Sequence, residues 1–109
     1  TLAVGFRNPP TLALIESASG TLLARVESCS DADDLFFGDR RQRIYETCGQ
    51  GVIDVYEWTG GRLARLARVP TSSGSRTSLF VPELDRLFVA ERAAWPGGGA
   101  NILIFRPMP

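Results

Sequence analysis

Asp31, Asp33 and Asp34 place three carboxylates within four consecutive positions, and oxygen donors at that density suit a hard divalent cation such as Ca2+ or Mg2+. The competing use is local, since aspartates in loops cap turns through their own side chains. Cys29 and Cys48 are the only cysteines. No CxxC or CxxCH spacing surrounds them, which argues against a metal or haem site and leaves a disulfide or two free or buried thiols. Glu91 and Arg92 lead into Ala93-Ala-Trp-Pro-Gly-Gly-Gly99, a stretch without strand pattern. Long loops on rigid frames carry function more often than strands do. Trp95 there offers an aromatic contact to a ligand or partner, or packs down on its own sheet. Arg25, Arg62, Arg65 and Arg68 supply guanidinium forks of the kind that grip phosphate or carboxylate, with a solvated strand edge as the plainer reading.

Missing residue types narrow the chemistry further. Among 109 residues there is no His, and all twelve basic residues are Arg. The chain by itself supplies no imidazole base, no histidine ligand for metal or haem and no Schiff-base amine, so catalysis is the less favoured reading. Twelve Arg balance twelve Asp plus Glu, and no global basic field points to nucleic acid. Apolar runs stay far short of the ~20 residues a membrane helix needs. With 44% apolar residues, the chain is expected to bury a core as a single unit over 1–109. It begins at Thr1 without an initiator Met or a charged-then-apolar leader, so an upstream segment is expected to have been removed.

The elements that must position these residues read as all-β. Short apolar runs predict strands over Leu2–Phe6, Thr11–Glu16, Thr21–Glu27, Asp34–Gly38, Arg43–Cys48, Val52–Trp58, Leu63–Val69, Thr77–Val81, Arg86–Glu91 and Asn101–Phe105. Turn chemistry fills the gaps, as at Asn8-Pro-Pro, Gly49-Gln-Gly51, Gly60-Gly61 and Pro82–Asp85. Arg62–Val69 also fits a period-three helix, but two turns between Gly60-Gly61 and Pro70 are too few to stand alone. Consecutive apolar residues, as in Leu35-Phe36-Phe37 and Ile102–Phe105, predict sheets covered on both faces. Phe36, Phe37, Tyr45, Tyr56, Phe80, Phe88 and Phe105 are expected in the core, and Trp58 at a sheet margin. If Asp34–Gly38 pairs with Arg43–Cys48 across Asp39–Gln42, Cys48 lies opposite Asp33 and near Cys29, a geometry that allows a disulfide.

The strands also repeat. Asp34-Leu-Phe-Phe-Gly and Arg43-Ile-Tyr return 43 residues on as Thr77-Ser-Leu-Phe-Val and Arg86-Leu-Phe, and Val52-Ile-Asp-Val-Tyr56 returns after 49 as Asn101-Ile-Leu-Ile-Phe105. The Glu91–Ala100 insertion accounts for the difference. A period of this length built from short strands signals a stacked or radial array of small sheets. In these slots the chain resembles bacterial β-propellers of the YVTN repeat type, relatives of the WD40 architecture. Glu46-Thr-Cys and Val89-Ala-Glu stand where that family carries Tyr-Val-Thr-Asn.

The resemblance implies a partial propeller of four-stranded antiparallel blades. With strands lettered A to D from the centre outward, it reads B-C-D over about 1–27, a complete A-B-C-D over 34–69 and A-B-C over 77–106. The end at Arg106–Pro109 resembles a propeller's natural C-terminus, whose outer strand comes from the N-terminal segment. A closed propeller needs at least four blades, so this chain is expected to be part of a longer ring or to assemble with itself, a homodimer giving six blades. Asp31, Asp33, Asp34, Arg76, Glu91, Arg92 and Trp95 would then share one rim, where a small ligand or protein would bind and Ca2+ is the conceivable ion. The resemblance implies the fold and names no ligand; the leading functional reading is a non-catalytic binding or scaffold module. The alternatives are a lactonase- or hydrolase-type enzyme whose channel carboxylates hold a metal, and an inactive structural fragment. The resemblance also implies export, to the periplasm or beyond, which a disulfide would suit.

Overall fold

Each strand of this protein forms where an apolar run ends at a turn residue, and the sheets follow from pairing neighbours in sequence. A computed structural model describes residues 1–93 and 97–109, and ten strands lie among them. β1 (Leu2–Arg7), β2 (Pro10–Ile15) and β3 (Leu22–Glu27) make the first antiparallel sheet. β4 (Ala32–Gly38), β5 (Arg43–Cys48), β6 (Val52–Thr59) and β7 (Arg62–Pro70) make the second, and β8 (Ser78–Val81), β9 (Arg86–Glu91) and β10 (Asn101–Phe105) the third. The Arg-rich segment 62–70 is a strand, as the flanking glycines and proline require. A single 3-10 turn at Asp39–Arg41 joins β4 to β5, an element the sequence pattern does not announce.

The sheets stack face to face in chain order. β1 meets β4 and β4 meets β8 along one flank, while β3 meets β7 along the other. The stack is open and elongated, 48 × 32 × 21 Å, and one chain's described residues close no ring. Only the middle sheet is covered on both faces. From Ile44 to Cys48, every residue of β5 is buried whichever way it points. Leu12, Leu14, Ile44 and Tyr56 form a core between the first and second sheets, joined by Val26, Leu35, Trp58 and Leu63. Tyr45, Ile53, Phe80, Leu87 and Val89 form the other, between the second and third. There the Tyr45 and Phe80 rings lie 5.0 Å apart at 33°, a tilted pair worth roughly 1 kcal/mol beyond its buried area.

Three expectations are corrected. The two-face burial predicted for Ile102–Phe105 fails, because no sheet lies beyond the third, and Ile102 and Ile104 are exposed. Phe37 is exposed as well: it shares a face with its buried ladder partner Ile44, but at the inner end of β4 the first sheet does not cover it. Cys48 pairs with Ala32 rather than Asp33, because a bulge between Ala32 and Asp34 leaves Asp33 without a ladder partner.

Candidate functional site

The connections β3–β4, β5–β6 and β7–β8 gather at one end of the stack, and the sequence's candidate residues among those described lie around it. Asp31 enters β4 with a left-handed φ of 60°. Its carboxylate is clamped from two sides, by Arg7 at 3.0 Å and Arg76 at 3.3 Å. Arg7 also reaches Asp33 at 3.9 Å and donates to the Ala32 carbonyl at 3.0 Å. Asp34 is turned elsewhere and accepts the Ser78 amide at 2.8 Å, tying the second sheet to the third. Glu91 accepts from the Ser72 hydroxyl at 2.9 Å and the Asn101 amide at 3.1 Å. The Arg92 guanidinium lies against Gly74, whose missing side chain and φ of +84° leave the space. The loop carrying these groups is braced by Gly74 N–H on the Gly49 carbonyl at 2.7 Å. Asp31, Asp33 and Arg76 are therefore brought together, whereas Asp34, Glu91 and Arg92 serve separate contacts. Trp95 lies outside the described residues.

Sequence reasoning missed a second group, and it is buried. In β5 and β6 alternate residues face the first sheet, and the register sets Glu46 opposite Asp54, with Arg68 of β7 next in line. Two carboxylates side by side in a low-dielectric layer repel unless one is protonated or paired. Asp54 is paired. It receives the Arg68 fork at 2.7 and 2.9 Å, with Arg65 at 3.7 Å. Burial, the largest single influence, pushes Asp54 upward, but the hydrogen bonds from Arg68 and Tyr56 and the charges of Arg68 and Arg65 together outweigh it and hold the carboxyl below its usual range.

Glu46 takes the other course. Fully buried and without a cation of its own, it is pushed up to about 7, chiefly by desolvation, with Asp54's charge adding to the effect and the Tyr56 hydroxyl opposing it. Counting protons leads to the same state. Tyr56 has one hydroxyl proton but lies 3.0 Å from Glu46 Oε1 and 3.0 Å from Asp54 Oδ2. A protonated Glu46 resolves this by donating to the Tyr56 oxygen while Tyr56 donates to Asp54. Burial and both carboxylates keep the phenol well above its ordinary range, so it stays protonated.

The Cys29–Cys48 disulfide closes the rim end of this layer. Its Cα atoms are 6.0 Å apart, and both cysteines are buried. Glu46 Oε1 is 3.6 Å from Cys29 Sγ, a contact rather than a hydrogen bond because the bridged sulfur carries no proton. Glu46 Oε2 is buried with no hydrogen-bond partner, facing β1 at Gly5. A methyl group at Gly5 would come within 3.1 Å of it, so glycine is what lets the first sheet close over the carboxyl.

One apolar cleft of about 220 Å3 opens between the second and third sheets, beside Tyr45, Ile53, Val69, Leu87, Phe105 and Met108. It is smaller than the ~300 Å3 at which ordinary small-molecule pockets begin. The C-terminal segment lies across it, Arg43 donating to the Met108 carbonyl at 2.6 Å.

Fold and site define an all-β protein of three stacked antiparallel sheets with an ion-paired rim and a buried acid network. No protein-family model matches the sequence, and neither a curated protein nor a solved structure matches it.

The Arg stripe expected to be solvated is divided. All four are exposed, but Arg65 and Arg68 also turn their head groups onto buried Asp54. The available signal was the alternation itself: Glu46 shares a face with Ile44 and Cys48, and Asp54 with Tyr56. No helix among the described residues is long and apolar enough to cross a membrane.

Proposed function

We propose that this chain is a self-assembling, non-catalytic β-propeller module of the YVTN-like type, in which two copies close a ring of six sheets that serves as a binding scaffold. The observation that carries this reading is the pair of apolar faces at the two ends of the stack. Leu2, Phe6 and Leu22 on the first sheet are 46–53% exposed, and Leu79, Ile102 and Ile104 on the third are 55–62% exposed. The middle sheet shows how such faces are used, each being covered by a neighbouring sheet. Apolar patches of this kind on sheet faces mark association surfaces. The ends differ from each other, so the contact is heterologous, first sheet on third. Two such contacts close a twofold ring without leaving a free end.

A scaffold is favoured over a carboxylate-metal hydrolase because the rim carboxylates are already engaged by Arg7, Arg76, Ser72 and the Ser78 amide. The disulfide supports an oxidising location, periplasmic or secreted. Light scattering behind a sizing column tests the assembly. A dimer that persists on dilution is expected, and a monomer at every concentration would overturn the ring.

A further inference from the structure

We propose that reduction of the Cys29–Cys48 disulfide converts its surroundings into a binding site for a thiophilic divalent cation of the Zn2+ class, held by both thiolates and the Glu46 carboxylate. One ligand atom from each of the three residues lies within 4.8 Å of the other two, and all three residues are buried. Glu46 also keeps a second oxygen with no partner, in a place where burial makes an unsatisfied polar atom costly. Oε1 is the oxygen placed to ligate, 3.6 Å from Cys29 Sγ, and two-oxygen binding of the cation would also satisfy Oε2. The inference is independent of the ring.

The frame holds the ligands in place after the bond is cut. Cys48 sits at the end of β5 with ladder partners in both β4 and β6. The segment after Cys29 is fixed to the β5–β6 turn, with Gly49 N–H on the Asp31 carbonyl at 2.8 Å and Ser30 N–H on the Gln50 side chain at 2.9 Å. With Zn–S bonds of ~2.3 Å in a tetrahedron, the sulfurs need to separate to roughly 3.8 Å, which side-chain rotation achieves over Cα atoms 6.0 Å apart. Two thiolates select Zn2+ or Co2+ over Ca2+ and Mg2+, and three protein ligands leave the fourth position to water.

The chemistry balances. A dithiol or phosphine reductant delivers two electrons to the S–S bond, and each sulfur takes one proton. Binding the cation then releases both thiol protons and the Glu46 proton. The sequence gives no hint of this site, because its ligands are spaced as Cys29, Glu46 and Cys48 rather than as a CxxC pair.

The test titrates Co2+, and Zn2+ in competition, into the full chain reduced with a phosphine. One equivalent of Co2+ with a thiolate-to-cobalt charge-transfer band, and a raised melting temperature, are expected for the reduced chain only. Glu46→Gln, close in shape to the protonated acid, should keep the band but weaken affinity by about tenfold or more. Cys29→Ser should abolish the band. Absence of a band in the reduced wild type, or equal affinity in wild type and Glu46→Gln, would overturn the proposal. If reduction unfolds the chain, refolding on addition of Zn2+ supports the site and failure to refold contradicts it.

Discussion

The two faces of the middle sheet are built from the same two strands and both meet an apolar neighbour, yet they bury different chemistry. Toward the third sheet, β5 and β6 present Tyr45, Ile53 and Val55, and the layer closes with Phe80, Leu87 and Val89. Toward the first sheet they pack Ile44 and Tyr56 on Leu12 and Leu14, and beside these they bury Glu46 and Asp54, with Arg68 next to them and a disulfide at the end. Strand alternation alone separates the two sets. The apolar layer depends on shape and water exclusion. The polar layer adds conditions, because it needs Glu46 protonated and Asp54 paired. The far rim repeats the pairing in half-buried form, where Arg41 grips Asp85 at 2.7 and 2.9 Å and holds that carboxyl below its usual range.

Removing the cation from the polar layer should break the comparison most. Arg68→Met leaves Asp54 buried with only the more distant Arg65, and uncompensated buried charges cost about 3–5 kcal/mol. Denaturant unfolding measures this. A loss under about 1 kcal/mol would mean that the network contributes little to stability.

Acidity separates the two layers next. Unfolded, Glu46 loses its proton near 4.5; folded, it keeps it up to about 7. Its contribution is therefore full below pH 4.5 and is lost as pH rises through 7, a change on the order of 3 kcal/mol. Asp54 acts in the opposite sense, its contribution being lost only as pH falls through its depressed value. Unfolding of the oxidised chain, followed from pH 4.5 to 7.5 or so, should show the decline. Glu46→Gln should flatten it, whereas Leu87→Ala in the apolar layer should lower stability by about 2–4 kcal/mol at every pH and leave the slope intact.

The smallest effect tests the close approach of β1. Gly5→Ala pushes a methyl against Glu46 and Leu35 and should cost about 1–2 kcal/mol, read as a lower melting temperature. No loss would mean that the first sheet has room to shift.

What the sequence made legible follows from this difference. All ten strands could be read because most are short apolar runs set between turn-forming residues, and turn chemistry is local. The nearness of Cys29 to Cys48 could be read from one hairpin, although the bulge at Asp33 moved the register by a residue with no mark in the composition. The acid network could not be read. Its parts lie on three strands, and which carboxylate faces which depends on a register fixed by the whole sheet. Arg68 looks like any solvated edge arginine until Asp54 is placed beneath it. The rim candidates were found by type, but their partners, Arg7 above all, come from the first sheet across a packing interface that no spacing encodes.

The proposed ring depends most directly on a contact between the first sheet of one copy and the third sheet of another. Phe6→Glu charges the first face and Ile104→Glu the other, and neither residue belongs to the cores between the sheets. Light scattering should find each variant alone as a monomer and an equimolar mixture as a dimer, because only the mixture pairs one intact face of each kind. A variant that dimerises alone, or a mixture that stays monomeric, would contradict the ring.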